Sequence, residues 1–133
     1  MEAPPVTELK LIADGLAFPE GPIALPDGDV IVVEIAAGRL TRITPDGKKA
    51  VVAEPGGGPN GAAMGPDGKV YVCNNGGLRI IEHQGRLFPV GQPDDYSGGR
   101  IEQIDIETGK VETLYTACGD HPLKGPNDIV FDR

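Results

Sequence analysis

A single carboxylate, Glu20, stands among prolines and glycines in the stretch Phe18-Pro-Glu-Gly-Pro-Ile-Ala-Leu-Pro-Asp-Gly28. An amide takes the same place in Pro59-Asn60-Gly61, and another in Pro126-Asn127-Asp128. Carboxylate and amide oxygens, if they converge, suit a hard cation such as calcium, magnesium or manganese. No converging set of His and Cys accompanies them, which speaks against a structural zinc site. Cys118-Gly-Asp-His121 has a spacing that a metal could use, but it is one pair in a Gly/Pro-rich loop. Taken singly, Pro-Glu-Gly-Pro and Pro-Asn-Gly are also ordinary turn sequences. The chemistry therefore depends on whether the fold brings these positions together.

An internal repeat supplies a reason for it to do so. Displaced by 40 residues, the chain matches itself without a gap over sixteen positions: Pro19-Glu-Gly-Pro22 falls on Pro59-Asn-Gly-Ala62, Pro26-Asp-Gly28 on Pro66-Asp-Gly68, and Asp29–Glu34 on Lys69–Asn74. At an offset of 61, Gly38–Ile43 falls on Gly99–Ile104, so the second copy carries 21 further residues. A third copy opens at Pro126-Asn-Asp-Ile-Val-Phe131. Within the first copy, the runs 23–25, 30–33, 40–43 and 50–53 are apolar or alternating, of strand length, and separated by turn residues. Such a four-stranded antiparallel meander cannot bury both faces alone and must stack on its neighbours, which is the logic of a β-propeller blade.

The expected fold is all-β: a partial propeller of about two blades with flanking strands. Residues 6–16 read as a lone outer strand, 18–55 as the first blade, 58–117 as the second with an insertion at about 77–98, and 126–133 as the opening strand of a third. Equivalent strand starts meet near the axis, so Glu20, Asn60 and Asn127 are expected at one mouth. Glu34 and Asn74-Asn75 return to the same rim. The insertion, read as an irregular loop carrying Phe88, Asp94, Asp95 and Tyr96, is expected to fold over it. A closed ring needs about four to eight blades. The remainder is expected from further chain or from copies pooling their blades, and this chain alone is expected to be inactive.

Composition narrows the partners. The chain has 133 residues with 12 Lys and Arg against 20 Asp and Glu, a net charge of −8. Nucleic acid and an anionic membrane are therefore not the expected partners. The start, Met-Glu-Ala-Pro-Pro-Val, lacks the basic and apolar regions of a leader, and no apolar run is long enough to cross a bilayer. A soluble cytoplasmic protein is the expectation. Cys73 and Cys118, 45 positions apart, read as reduced thiols.

With these motifs in order, the chain resembles the N-terminal part of the gluconolactonase/regucalcin family of six-bladed propellers, also called the senescence marker protein family. "FPEGPIALPDG", "GGGPNGAAMGPDGKVYVCNNGG" and "GPNDIVFD" carry the likeness. The resemblance implies a divalent metal at the channel mouth, calcium first and zinc or manganese as alternatives, with Glu20 as a ligand. It places Asn127 beside the metal and the substrate, a small-molecule lactone. It implies a hydrolase that opens sugar lactones or related cyclic esters, with an Asp base that has no counterpart here. Asn74-Asn75 is read either as a substrate-facing pair, Asn74 foremost, or as a plain turn. Several family members have Arg where Gly125 stands, so Lys124 or His121 would substitute in substrate contact, although His121 also reads as a solvated loop residue. A noncatalytic propeller module that binds a small ligand or a protein is the rival reading.

Overall fold

The computed structural model describes every residue except Met1, Pro4, Val6, Thr7 and Arg133. The first sheet is a meander of β1 (Pro19–Ala24), β2 (Val30–Glu34), β3 (Arg39–Ile43) and β4 (Lys49–Ala53), paired in that order and antiparallel. The second contains β5 (Pro59–Met64), β6 (Val70–Asn74), β9 (Arg100–Ile104) and β10 (Val111–Tyr115), with β5 and β10 at its edges. Inserted between β6 and β9 is a separate hairpin, β7 (Ile80–His83) with β8 (Arg86–Pro89). A last short pair, β11 (Ala117–Cys118) and β12 (His121–Pro122), precedes a tail without regular structure. Among the described residues, no helix is long and apolar enough to cross a membrane.

Pro-Asp-Gly closes the first hairpin of each blade by the same chemistry. Asp27 Oδ1 accepts from the Asp29 amide at 2.9 Å and Asp67 Oδ1 from the Lys69 amide at 3.1 Å. Gly28 and Gly68 follow with φ of +92° and +77°, a region that a side chain disfavours. The alternation of each blade then turns apolar side chains toward the other blade. Ile23, Ile31, Val33, Leu40 and Ala53 from the first pack with Ala62, Val70, Val72 and Ile104 from the second. The core is thus the seam between the two sheets.

A buried carboxylate closes the mouth end of each blade, and the two blades build it differently. In the first, Glu34 ends β2 with no exposed surface. Its oxygens accept from Arg39 Nε at 2.5 Å and Nη2 at 3.0 Å, from Thr41 Oγ1 at 2.5 Å and from the Ala17 amide at 2.7 Å. In the second, Asn74 stands where Glu34 stands, Arg100 where Arg39 does, and the carboxylate has moved to Glu102 in the place of Thr41. Glu102 Oε1 accepts from Asn74 Nδ2 at 2.6 Å and from Arg100 Nε at 2.8 Å. Each blade therefore keeps one arginine and one carboxylate across the β2–β3 or β6–β9 pair, with the acid shifted by one strand. Burial opposes the charge of Glu34, but Arg39, Thr41 and the Ala17 amide outweigh it and hold the carboxyl at about 2. At Glu102 burial wins over Arg100 and Asn74, and the carboxyl lies above its usual range.

Three expectations are corrected here. Residues 8–16 form no strand, and Val6 and Thr7 lie outside the described residues. Residues 126–132 form no strand either, and Arg133 lies outside the described residues. A strand exists only through a ladder, and no described strand pairs with either segment. The insertion is not irregular: it holds the β7–β8 hairpin, whose turn has Gln84 at φ +52° and Gly85 at φ +75°. Two successive positive φ values suit the twist of a two-residue hairpin turn, and Gln in place of the usual Asn hid it in the sequence.

The two carboxylates have opposite pH signatures. Glu34, lowered in the fold, contributes stability above its ordinary value near 4.5 and loses it as pH falls through about 2, a contribution of about 3 kcal/mol. Glu102, raised in the fold, favours folding below its ordinary value and loses that contribution as pH rises through its folded one. Urea-unfolding midpoints from pH 5 to pH 2 are expected to fall in the natural chain and to fall less in Glu34→Gln. At pH 7, Glu34→Gln is expected to cost about 2–4 kcal/mol, because Arg39 loses its buried partner. Glu102→Gln is expected to cost less than about 1 kcal/mol, because a neutral amide relieves the burial of charge.

Candidate functional site

The first strand of each blade carries a β-bulge at or just past the position that the sequence singles out. In β1 the register shifts between Glu20, opposite Val33, and Ile23, opposite Ile31. In β5 it shifts between Pro59, opposite Asn74, and Gly61, opposite Cys73, with Asn60 as the extra residue. A bulge bends its strand and re-aims nearby side chains; in β1 it falls at Gly21-Pro22, just past Glu20, and in β5 at Asn60 itself. Gly21 has φ +53°, and a Cβ there would stand 2.7 Å from the Ala62 amide nitrogen. Only glycine lets β1 and β5 approach this closely.

Glu20, Asn60 and Asn127 line one cavity of about 260 Å³, together with Gly21, Pro22, Gly61, Ala62 and Asp128. Asn60 Nδ2 donates to Asn127 Oδ1 at 2.6 Å. The Glu20 carboxylate makes no hydrogen bond or ion pair among the described residues. Three successive repeats thus bring their equivalent side chains to one place. The tail that carries Asn127 is held on β5–β6 by further contacts besides the Asn60–Asn127 bond. Asp128 O accepts from Cys73 Sγ at 3.3 Å, the Phe131 ring meets Tyr71 edge-on at 4.9 Å, and Gly61 leaves room for the backbone of 127–128. Burial, helped by the nearby Asp128 charge, pushes the Cys73 thiol up. Cys73 is buried and Cys118 exposed, and both are free.

Glu34 reaches this site indirectly. Its bond to the Ala17 amide, with Ile35 N donating to Phe18 O at 3.0 Å, fixes the bend that delivers Pro19 and Glu20 to the rim. Phe18 sits there at φ +61°, which is uncommon for a bulky residue.

A second cavity of about 710 Å³ adjoins the first and shares Asn60 and Asn127 with it. Asn75, Leu78, Pro89, Gln92, Tyr96, Lys124 and Gly125 complete most of its wall. The Tyr96 hydroxyl donates to Lys124 O, tying the insertion to the tail. Tyr96 thus overlooks the mouth as expected. Phe88 does not: it is 43% exposed on the far side of the hairpin.

Asn74 requires a correction. It has no exposed surface, and its amide is saturated: Oδ1 accepts from the Gly58 and Gly76 amides at 2.9 and 3.0 Å, while Nδ2 donates to Gly56 O and Glu102. It clips the blade linker to β6 and does not face either cavity. Its neighbour Asn75 lines the second cavity instead, with its Oδ1 accepting from the Gly77 amide at 2.8 Å. Period-two alternation past the end of β6 was the signal that could have separated the two. His121 is exposed on β12 and lines neither cavity, whereas Lys124 does line the second.

Two stacked antiparallel four-stranded blades with their site at the shared mouth define part of a β-propeller. A family model described as "SMP-30/Gluconolactonase/LRE-like region" matches residues 18–133, and the chain belongs to this family. A curated relative, a gluconolactonase of Zymomonas mobilis subsp. mobilis, is 27% identical over 114 residues, covering 71% of this chain and 31% of its own length. A solved X-ray structure described as a candidate gluconolactonase superposes with a TM-score of 0.64 at 23% identity, covering 91% of this chain and 35% of that one. The chain spans about a third of the length of each. The structural likeness bears on the fold.

Whether a divalent cation fits can be judged from the donors. They are all oxygen: the Glu20 and Asp128 carboxylates and the two amides of Asn60 and Asn127. Among the described residues, no group of three His, Cys, Asp or Glu could hold a metal ion. The set fits a hard cation as part of a coordination sphere, with its other positions left to water or to groups outside these residues.

Gly61 tests how the tail is seated. A Cβ there would collide with the Asn127 carbonyl and lie 2.6 Å from Asp128 Cα, whereas one at Gly125 would meet nothing within 4 Å. Gly61→Ala is expected to destabilise the chain by about 1–3 kcal/mol and to speed proteolysis within 126–132. Gly125→Ala is expected to leave both unchanged, as read by urea midpoints and limited proteolysis.

Proposed function

We propose that the chain forms part of a metal-dependent hydrolase that opens a sugar lactone or a related cyclic ester. The observation that carries the proposal is the meeting of Glu20, Asn60 and Asn127, one from each of three successive repeats, at a single cavity. Family membership and the curated gluconolactonase relative support the choice of reaction. A divalent cation, calcium by preference for its oxygen donors, would supply Lewis-acid polarisation of the lactone carbonyl.

Glu20 supplies the negative charge that holds a cation at the mouth, free of competing internal partners. Asn127 is fixed by Asn60 and presents its amide at the border of the two cavities, beside both cation and substrate. The larger cavity receives the body of the substrate, with Asn75, Tyr96 and Lys124 as polar contacts and Leu78 and Pro89 as apolar wall. Lys124 takes the substrate contact that the family resemblance gives to an arginine where Gly125 stands here. The activity belongs to the assembled propeller, whose remaining blades contribute the base.

Glu20→Gln removes the charge while keeping the shape. In the active assembly, kcat/KM for lactone opening is expected to drop by about 100-fold or more, the loss typical when one charge-stabilising group is removed. Bound metal by elemental analysis, and the calcium-dependent rise in melting temperature, should fall in parallel. Undiminished turnover would take Glu20 out of the reaction. No metal and no calcium effect in the natural protein would favour a noncatalytic binding module.

A further inference from the structure

The β7–β8 hairpin presents one face that neither the fold nor the two cavities use. Cross-strand partners share a face, so Ile81 with Phe88 and His83 with Arg86 stand together. The pair of backbone bonds between Arg79 and the Val90–Gly91 end extends the same face to Arg79 and Val90. Ile81, Phe88 and Val90 are 44%, 43% and 47% exposed. The opposite face holds Ile80 and Leu87, both half-buried, and Pro89 at its edge lines the larger cavity. The hairpin is therefore seated by one side and bare on the other.

The bare side has an apolar centre between two arginines. Arg79 and Arg86 are exposed and form no ion pair among the described residues. By contrast, Arg39, Arg42 and Arg100 are each paired with a carboxylate. Glu82, the one acidic residue between 78 and 91, alternates onto the opposite face. The acidic surplus of the chain lies outside the hairpin, Asp94 and Asp95 of the same insertion included, and ordinary salt screens such charges over about 8–10 Å. Apolar side chains flanked by arginines at interfacial height suit a lipid surface with anionic headgroups, where aliphatic arginine stems lie along the apolar region. Neither cavity includes Arg79, Ile81, His83, Arg86, Phe88 or Val90, so the face is a flat surface and not a pocket for a small ligand.

We infer that the outer face of the β7–β8 hairpin docks the protein on an anionic lipid surface, with Ile81, Phe88 and Val90 entering the headgroup boundary and Arg79 and Arg86 contacting phosphates. Whole-chain charge opposes this on average, and the hairpin is the local exception. The inference does not rest on the lactone reading.

Co-sedimentation with vesicles tests it without reference to activity. The chain is expected to bind vesicles of phosphatidylcholine mixed with phosphatidylglycerol, and not phosphatidylcholine alone. Arg79→Gln and Arg86→Gln should each weaken binding by about fivefold, and molar salt, which shortens the screening length to about 3 Å, should release the protein. Ile81→Ser combined with Phe88→Ser should weaken it more than tenfold. Because all four residues are exposed, unfolding midpoints should hold; if the serine pair shifts them, the arginine variants decide alone. Equal binding to neutral vesicles, or retention unaffected by the arginine changes, overturns the inference. So does finding that the variants abolish concentration-dependent self-association instead, which would assign the face to a second copy.

Discussion

A buried ionised carboxylate can persist only if fixed donors replace its water, and at Glu34 that requirement organises the mouth of the first blade. Two nitrogens of Arg39, the Thr41 hydroxyl and the Ala17 amide converge on its two oxygens. The donors come from two stretches of backbone, β3 and the segment entering β1, so satisfying the charge also fixes geometry: β3 is drawn to the end of β2, and the segment entering β1 is bent across both. Glu20 lies three residues past the clamped amide. Its position at the rim therefore follows from a charge that takes no part in the site itself.

The second blade meets the same need with different residues. Moving the acid from the β2 position to the β3 position leaves an amide at Asn74, which can donate and accept at once. Asn74 uses both capacities, toward Glu102 and the Gly56 carbonyl on one side and toward two amides on the other. Arg100 keeps the arginine's role and adds a bond to Pro55 O at 3.1 Å in the linker between blades. The exchange makes the linker part of the latch. It also explains why an asparagine that looked available to substrate is consumed by the fold.

The site itself is a product of the seam. Gly21 and Gly61 remove side-chain bulk where β1, β5 and the tail come closest, and Glu20, just before the β1 bulge, and Asn60, at the β5 bulge, line the resulting gap. What gathers there is one unpartnered carboxylate among amides, a donor set suited to a hard cation whose full coordination needs further groups. The adjoining larger cavity, lined in part by Tyr96 and the tail, places a second open space beside those donors. Membership of the SMP-30/gluconolactonase/LRE-like family and this geometry agree in kind.

Much of this architecture is legible in the residues alone, because a repeat with period-two strands and Pro-Asp-Gly turns leaves few ways to bury its apolar face. The eight blade strands, their antiparallel order and the meeting of Glu20, Asn60 and Asn127 all follow from local pattern plus repetition. The bulges, the hairpin turn at Gln84-Gly85 and the distinction between Asn74 and Asn75 do not, since each is decided by partners distant in sequence. Residues 8–16 and 126–132 have strand-like composition without a ladder, which only a neighbouring strand can provide. Local sequence thus set the units and their repetition; side-chain direction, and with it the division between residues that hold the fold and residues left for chemistry, was settled by three-dimensional packing and by where buried charge had to find its donors.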